Sequence, residues 1–215
     1  MCNYVIVDLE MCNVAASDIR EECHLKNEII QIGAVLLNEK LEIYDTYMTY
    51  VKPKFGALDS VIIELTGISD DDLEEAPYFE EAIKDFLYWV PNNSKLVSWS
   101  ENDDLQVRRE AAAKGIAMPK LMRLFDSWID CQKTFGKVMY SSRNYNLVEA
   151  LNISSIDYDS NVHDALVDAK NTALIFAKME KEKDKGYKLS KYISIGKNEN
   201  SGYTPFADLL AKFYA

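Results

Sequence analysis

The stretch YVIVDLE at residues 4–10 decides the reading of this chain. Val5, Ile6 and Val7 are β-branched, and a short apolar run of this kind reads as a buried central strand. Side chains alternate along a strand, so Asp8 and Glu10 face the same way. Two carboxylates at i and i+2, closing a buried strand, repel one another. They call for a compensating charge, and a divalent cation is suited to supply it. Alone, the pair has an ordinary explanation, because acids are common where a strand meets a loop.

Outward from this stretch, residues 29–37 form a second apolar run, with Gly33 inside it and Asn38 closing it. Residues 43–51 are rich in Tyr, Thr, Val and Ile and end at Lys52-Pro53. Three strands in succession with short links predict antiparallel neighbours, with 39–42 as a hairpin connection. Phe79, Ala82, Ile83, Phe86, Leu87 and Val90 then follow helical spacing, and Pro91 stops the helix. Residues 95–98 read as a short strand and 104–114 as a helix stopped by Gly115. Residues 121–129 read as helix then strand, and 145–151 as a short helix. Leu166, Ala169, Ala173 and Phe176 put one apolar stripe on a final long helix. The order predicts an α/β fold: a mixed sheet with helices packed on it.

A chain of 215 residues suits one domain with a short appendage, and 48% apolar residues exclude a disordered protein. The expected division is a domain over 1–180 and a lysine-rich extension over 181–215, where FADLLAKFY at 206–214 suits a short helix. The N-terminus has no basic leader, nothing reaches the length of a membrane span, and Cys2, Cys12, Cys23 and Cys131 lack CxxC spacing. These features predict reduced thiols and a cytoplasmic protein without a membrane partner. Cys23-His24 invites a zinc site, but no paired ligand motif accompanies it, and two core or surface residues are the plainer reading.

The net charge is −11, unevenly spread. Residues 57–104 hold 13 acids and 2 bases, whereas 106–143 hold 8 bases and 3 acids, and 178–198 hold 7 lysines and 3 acids. Each stretch reads as a solvated face. The acidic total still leaves room for a locally basic groove, and bound cations would offset part of it.

Two further motifs carry chemistry. SWSEND at 98–103 leads from a short strand into a helix, placing Asp103 at the helix start, where an aspartate commonly serves as an N-cap. HDALVD at 163–168 pairs His163 with Asp168. Five residues on a helix turn through about 500°, so the two converge only if His163 lies in the preceding loop. Asp164 or Asn161 is then the candidate cap. Together the motifs supply four carboxylates and one imidazole. Hard oxygen ligands without thiolate favour Mg²⁺ or Mn²⁺. Such a set can hold two ions about 4 Å apart, one activating water and the other stabilising the leaving oxygen of a phosphodiester. Histidine is suited to take the water's proton near neutral pH.

These residues, in this order, resemble the DEDDh exonucleases, which have an RNase H-like fold, over roughly residues 3–180. The carrying stretches are YVIVDLEMC, VSWSENDDLQ and HDALVDAKNTA, supported by EIIQIGAVLL (28–37), VKP (51–53) and ELTGIS (64–69). Any one is unspecific; the ordered set is not. The pattern is most similar to the KapD and Eri1-like branch. The resemblance implies 3′→5′ hydrolysis of RNA or DNA with a free 3′ end, single-stranded by expectation, releasing nucleoside 5′-monophosphates. It implies that Asp8, Glu10, Asp103 and Asp168 bind two metals and that His163 is the general base. It also implies that Met11, Cys12, Leu65, Thr66 and Gly67 hold the terminal nucleotide. For Thr66 and Gly67 an ordinary turn before Ile68 is an equal reading, and Met11 suits either a base or the core. Many relatives carry an aromatic residue where this chain has Asn102; Trp99 is the candidate substitute, with burial the alternative. Asp104 follows Asp103 directly, and the spacing to Trp99 and Leu105 selects Asp103.

Two other readings stand beside an active exonuclease. One is a non-catalytic exonuclease-like module that binds nucleic acid or protein. The other is a catalytic subunit of a processing complex, with the acidic 57–104 face and the 206–214 tail as docking surfaces.

Overall fold

Alternation along the first strand sorts the molecule into two cores. The computed structural model describes residues 3–15, 25–161 and 163–183. In chain order the elements are β1 (Asn3–Val14), β2 (Asn27–Leu37), β3 (Ile43–Tyr50), β4 (Gly56–Ala57), α1 (Ser60–Thr66), α2 (Asp70–Glu74), α3 (Phe79–Trp89), β5 (Ser94–Ser98), α4 (Glu101–Ala113), α5 (Pro119–Phe125), β6 (Ile129–Asp130), α6 (Cys131–Val138), α7 (Leu147–Ile153) and α8 (Ala165–Glu182). The sheet runs β3-β2-β1-β5-β6, with β4 paired to the far end of β1. β1, β2 and β3 are mutually antiparallel, while β5 joins β1 in parallel and β6 joins β5 in parallel. This is the predicted mixed α/β sheet flanked by helices.

Val5, Val7 and Leu9 point into a core with Phe79, Ile83, Phe86, Val107 and Leu121, which belong to α3, α4 and α5. Ile6 points the other way, among Val35, Val97, Phe135, Leu151 and Phe176, under α6, α7 and α8. Tyr4, on the same face as Ile6, meets the Phe176 ring edge-on at 4.9 Å. Helix α8 therefore covers the row Tyr4, Ile6, Asp8, Glu10, and its N-terminus arrives at the acidic end.

Most predicted elements appear, with shifted ends that have local causes. Helix α4 starts at Glu101 because the Ser100 hydroxyl caps it, accepting from the Asn102 amide. Helix α7 starts at Leu147 because Asn146 and Glu149 form a capping box. The short elements β4, α1, α2 and α6 were not anticipated. Helix α1 owes its start to Asp59, which accepts from Val61 and Ile62, and its end to Gly67 at φ 72°. Gly136 inside α6 weakens its helical signal. Among the described residues, no helix is long and apolar enough to cross a membrane. Cys12 and Cys131 are buried free thiols. The Cys23-His24 pair and the 206–214 segment lie outside the described residues.

Candidate functional site

Asp8 and Glu10 stand on the α8 face of β1, opposite Gly33 and Gln31 of β2. A Cβ on Gly33 would overlap the Ala165 carbonyl carbon and the Leu166 nitrogen, so only glycine lets α8 sit this close to the sheet. Just beyond the Glu10–Gln31 pair the register slips, between Glu10 and Met11. Bulges of this kind are common beside functional sites, where they re-aim side chains.

Asp103 lies in the first turn of α4 and is only 6% exposed. It is not the N-cap, a role Ser100 fills. Its neighbour Asp104 turns away and pairs with Arg108 at 2.7 Å. Asp164 caps α8, accepting from the Val167 amide at 3.0 Å. His163 precedes the helix in the left-handed conformation, φ 69°. Its backbone N–H donates to Asp168 Oδ2 at 3.0 Å. Glu10, His163 and Asp168 each place one potential ligand atom within 4.8 Å of the others.

The electrostatics follow from crowding acids in a poorly solvated place. Burial first, then the charges of Asp168 and Asp103, push the Glu10 carboxyl up to about 8. Burial, Asp103, Asp168 and Glu10 raise Asp8 well above the usual carboxylate range. Burial lifts Asp103 to about 7 despite backbone amides that pull it down. Asp168 is also raised by burial. His163 moves the opposite way: burial lowers it, and the Asp168 charge offsets only part of that. Near neutral pH the carboxylates cannot all ionise without a counter-cation nearby. Asp168 Oδ1 is buried with no hydrogen-bond partner, so one hard oxygen donor is left unused. This donor set fits a divalent cation.

The remaining predicted residues divide. Trp99 is 8% exposed, packs on Phe135 and donates its indole N–H to the Tyr145 carbonyl, so its ring serves the core rather than stacking on a base. Cys12 is fully buried beside Ile30, Ile68 and Leu73, which withdraws its side chain from ligand contact. Met11 packs at the edge of the first core. Thr66 donates to the Ile62 carbonyl and accepts from the Ile68 amide, and Gly67 is the left-handed helix cap, so both make the turn before Ile68. Leu65 is partly exposed and Asn102 exposed.

In the basic stretch at 106–143, five of the eight bases are engaged. Lys114 bridges Glu28 and Glu110, Arg108 holds Asp104, Lys120 caps carbonyls of Leu87 and Val90, Lys133 pairs with Glu101, and Arg143 pairs with Glu149. Two contributors escaped the sequence reading: Gln31 and the role of Gly33. A lone amide and a glycine inside the apolar run of β2 were the available signals.

The family model for exonucleases of the RNase T type matches residues 5–176. The mouse (Mus musculus) 3′–5′ exoribonuclease 1 is 31% identical over 71% of this chain, and the match spans 47% of that relative. The nuclease domain of 3′hExo, a DEDDh family member solved with bound rAMP, superposes with a TM-score of 0.72 at 26% identity, covering 84% of this chain and 92% of that one. A 3′-exonuclease solved for its recognition of the histone mRNA stem-loop superposes at 0.70 and 26% identity, covering 82% of this chain and 63% of that one. This chain spans less than half the length of the mouse protein. With the sheet, the acidic strand end and the His163–Asp168 helix start all in place, the chain belongs to the RNase T-type exonuclease family and shares the fold of its DEDDh members.

Proposed function

We propose that this protein removes nucleotides from the 3′ end of single-stranded RNA, with DNA the second substrate class to test, releasing nucleoside 5′-monophosphates. The observation that carries this reading is the convergence of Glu10, His163 and Asp168 within 4.8 Å, with Asp8 and Asp103 near enough that the carboxyls raise one another's pKa. In this reading the four carboxylates hold two divalent cations, Mg²⁺ or Mn²⁺. Bound there, the ions supply a polarised water and a positive field for the departing oxygen.

The chain's own groups supply the rest. His163 is pushed by burial below its ordinary pKa, with Asp168 opposing, and this favours the neutral imidazole that can accept a proton from the attacking water. Its position is set by the bond from its backbone to Asp168. Met11, Leu65, Gly67 and Asn102 are the proposed contacts for the terminal nucleotide. The catalytic unit is residues 1–180, with 181–215 an extension. RNA comes first because the mouse relative is named an exoribonuclease and the 3′hExo nuclease domain was solved with bound rAMP.

The test is a time course on matched 5′-labelled RNA and DNA oligomers with Mg²⁺ or Mn²⁺. Stepwise shortening from the 3′ end, abolished by Asp8→Ala, is expected. Internal cleavage, shortening from the 5′ end, or an active Asp8→Ala variant would overturn the reading.

A further inference from the structure

Gln31 is the one strongly polar side chain buried in the middle of β2, at 1% exposure. It stands directly opposite Glu10, so the two side chains leave the sheet on the same face. A buried amide must be satisfied, and the partners Gln31 uses are not on the sheet. Its Oε1 accepts from the Ala165 amide at 2.9 Å, and its Nε2 donates to Asp164 Oδ2 at 3.4 Å. Ala165 is the first residue of α8 and Asp164 is its cap. The other oxygen of Asp164 receives the Val167 amide, and its backbone carbonyl receives the Asp168 amide. One side chain therefore ties the strand that faces Glu10 to the turn that carries His163 and Asp168.

We propose that Gln31 is a positioning residue: by bonding both Asp164 and Ala165 it sets the distance and orientation of the His163–Asp168 turn relative to Glu10. The first turn of α8 needs such a tie. Gly33 lets the helix approach the sheet, but a glycine supplies only room. The amide supplies direction, because its acceptor and donor ends match one backbone N–H and one carboxylate. Glu10 and Asp168 come from different elements, and Gln31, paired opposite Glu10 on β2, bonds to the start of the helix that carries Asp168. The inference rests on the site reading given above, and it predicts an effect on ion binding rather than on nucleic-acid binding.

The isosteric Gln31→Met variant removes both bonds while keeping the volume, and Gln31→Glu keeps an acceptor for Ala165. Mn²⁺ binding to each protein is measured by isothermal titration calorimetry without nucleic acid. Cleavage is then followed against Mg²⁺ concentration. Gln31→Met is expected to bind Mn²⁺ at least tenfold more weakly and to need correspondingly more Mg²⁺ for half-maximal rate. Its KM for the oligomer should stay within twofold of wild type, and Gln31→Glu, which keeps the acceptor for Ala165 but loses the donor to Asp164, should weaken Mn²⁺ binding less than Gln31→Met does. Should Gln31→Met fail to fold, Gln31→Asn, whose shorter amide cannot reach both partners from β2, takes its place with the same tenfold expectation. Mn²⁺ affinity unchanged in folded Gln31→Met, or lost equally in Gln31→Glu, overturns the inference. Wild-type protein that binds no Mn²⁺ would instead sink the site reading itself.

Discussion

Gly33 lies opposite Asp8 across the β1–β2 ladder, and the backbone of Ala165 occupies the space that a side chain at Gly33 would need. The absence of one methyl group thus sets how near α8 comes to the acidic end of β1. Gly33→Ala should force the helix outward, because the overlapping atoms are backbone and cannot rotate aside. A destabilisation of about 1–3 kcal/mol is expected from such overpacking. The rate should fall at least tenfold, since small displacements of catalytic groups are costly. Urea denaturation and single-turnover cleavage check the two parts.

Neutralising one carboxylate should separate stability from activity. Glu10 is raised because it is buried among like charges, so Glu10→Gln removes a repulsion that the metal-free fold carries at neutral pH. The metal-free variant should be more stable than wild type by about 0.5–2 kcal/mol, in the range typical of relieving functional strain, while cleavage is lost. A variant both less stable and still active would contradict the site.

The same shifts predict how stability depends on pH without metal. Glu10 and Asp103 bind protons more tightly when folded, at about 8 and about 7, than at their ordinary values of 4.5 and 3.8. Between those limits the folded state holds more protons, so stability falls as pH rises from about 5 to about 8. Thermal melting in a chelator should therefore give a higher Tm at pH 5.5 than at pH 8. Added Mg²⁺ should raise Tm more at pH 8, where the carboxylates are being forced to ionise. A Tm rising with pH across this window would show that these groups are not raised.

Away from the site, Lys114 is the keystone of a buried charge network. It pairs with Glu28 and Glu110 at 2.7 Å each. Glu28 also accepts the amides of Lys54, Phe55 and Gly56, which fixes the loop leading to α1. Lys114→Met leaves two carboxylates buried without their cation, and losing one partner of a buried pair costs about 3–5 kcal/mol. Chemical denaturation should report that loss, and limited proteolysis should find new cleavage near residues 54–60.

The sequence by itself determined the antiparallel succession of β1, β2 and β3 and the three motifs, and it nominated the five candidate site residues. It could do so because β periodicity, helical spacing and motif order are local properties of the chain. Asp164, one of the two candidate caps, did mark the start of α8, but at 98–103 the cap is Ser100 and not the expected Asp103. Tertiary structure decided the rest. Trp99 looked available for a base, yet which face of β5 is covered by α6 cannot be read from β5, and the ring went to the core. Eight bases in one stretch read as a solvated face with room for a basic groove, but partners came from sequence positions up to 86 residues away, and five of the eight are spent on ion pairs or carbonyls. Gln31 and Gly33 gained meaning only when α8 was laid across β2. A helix 134 residues downstream supplied the partner for that amide, and contacts of that range arise from packing, not from local sequence.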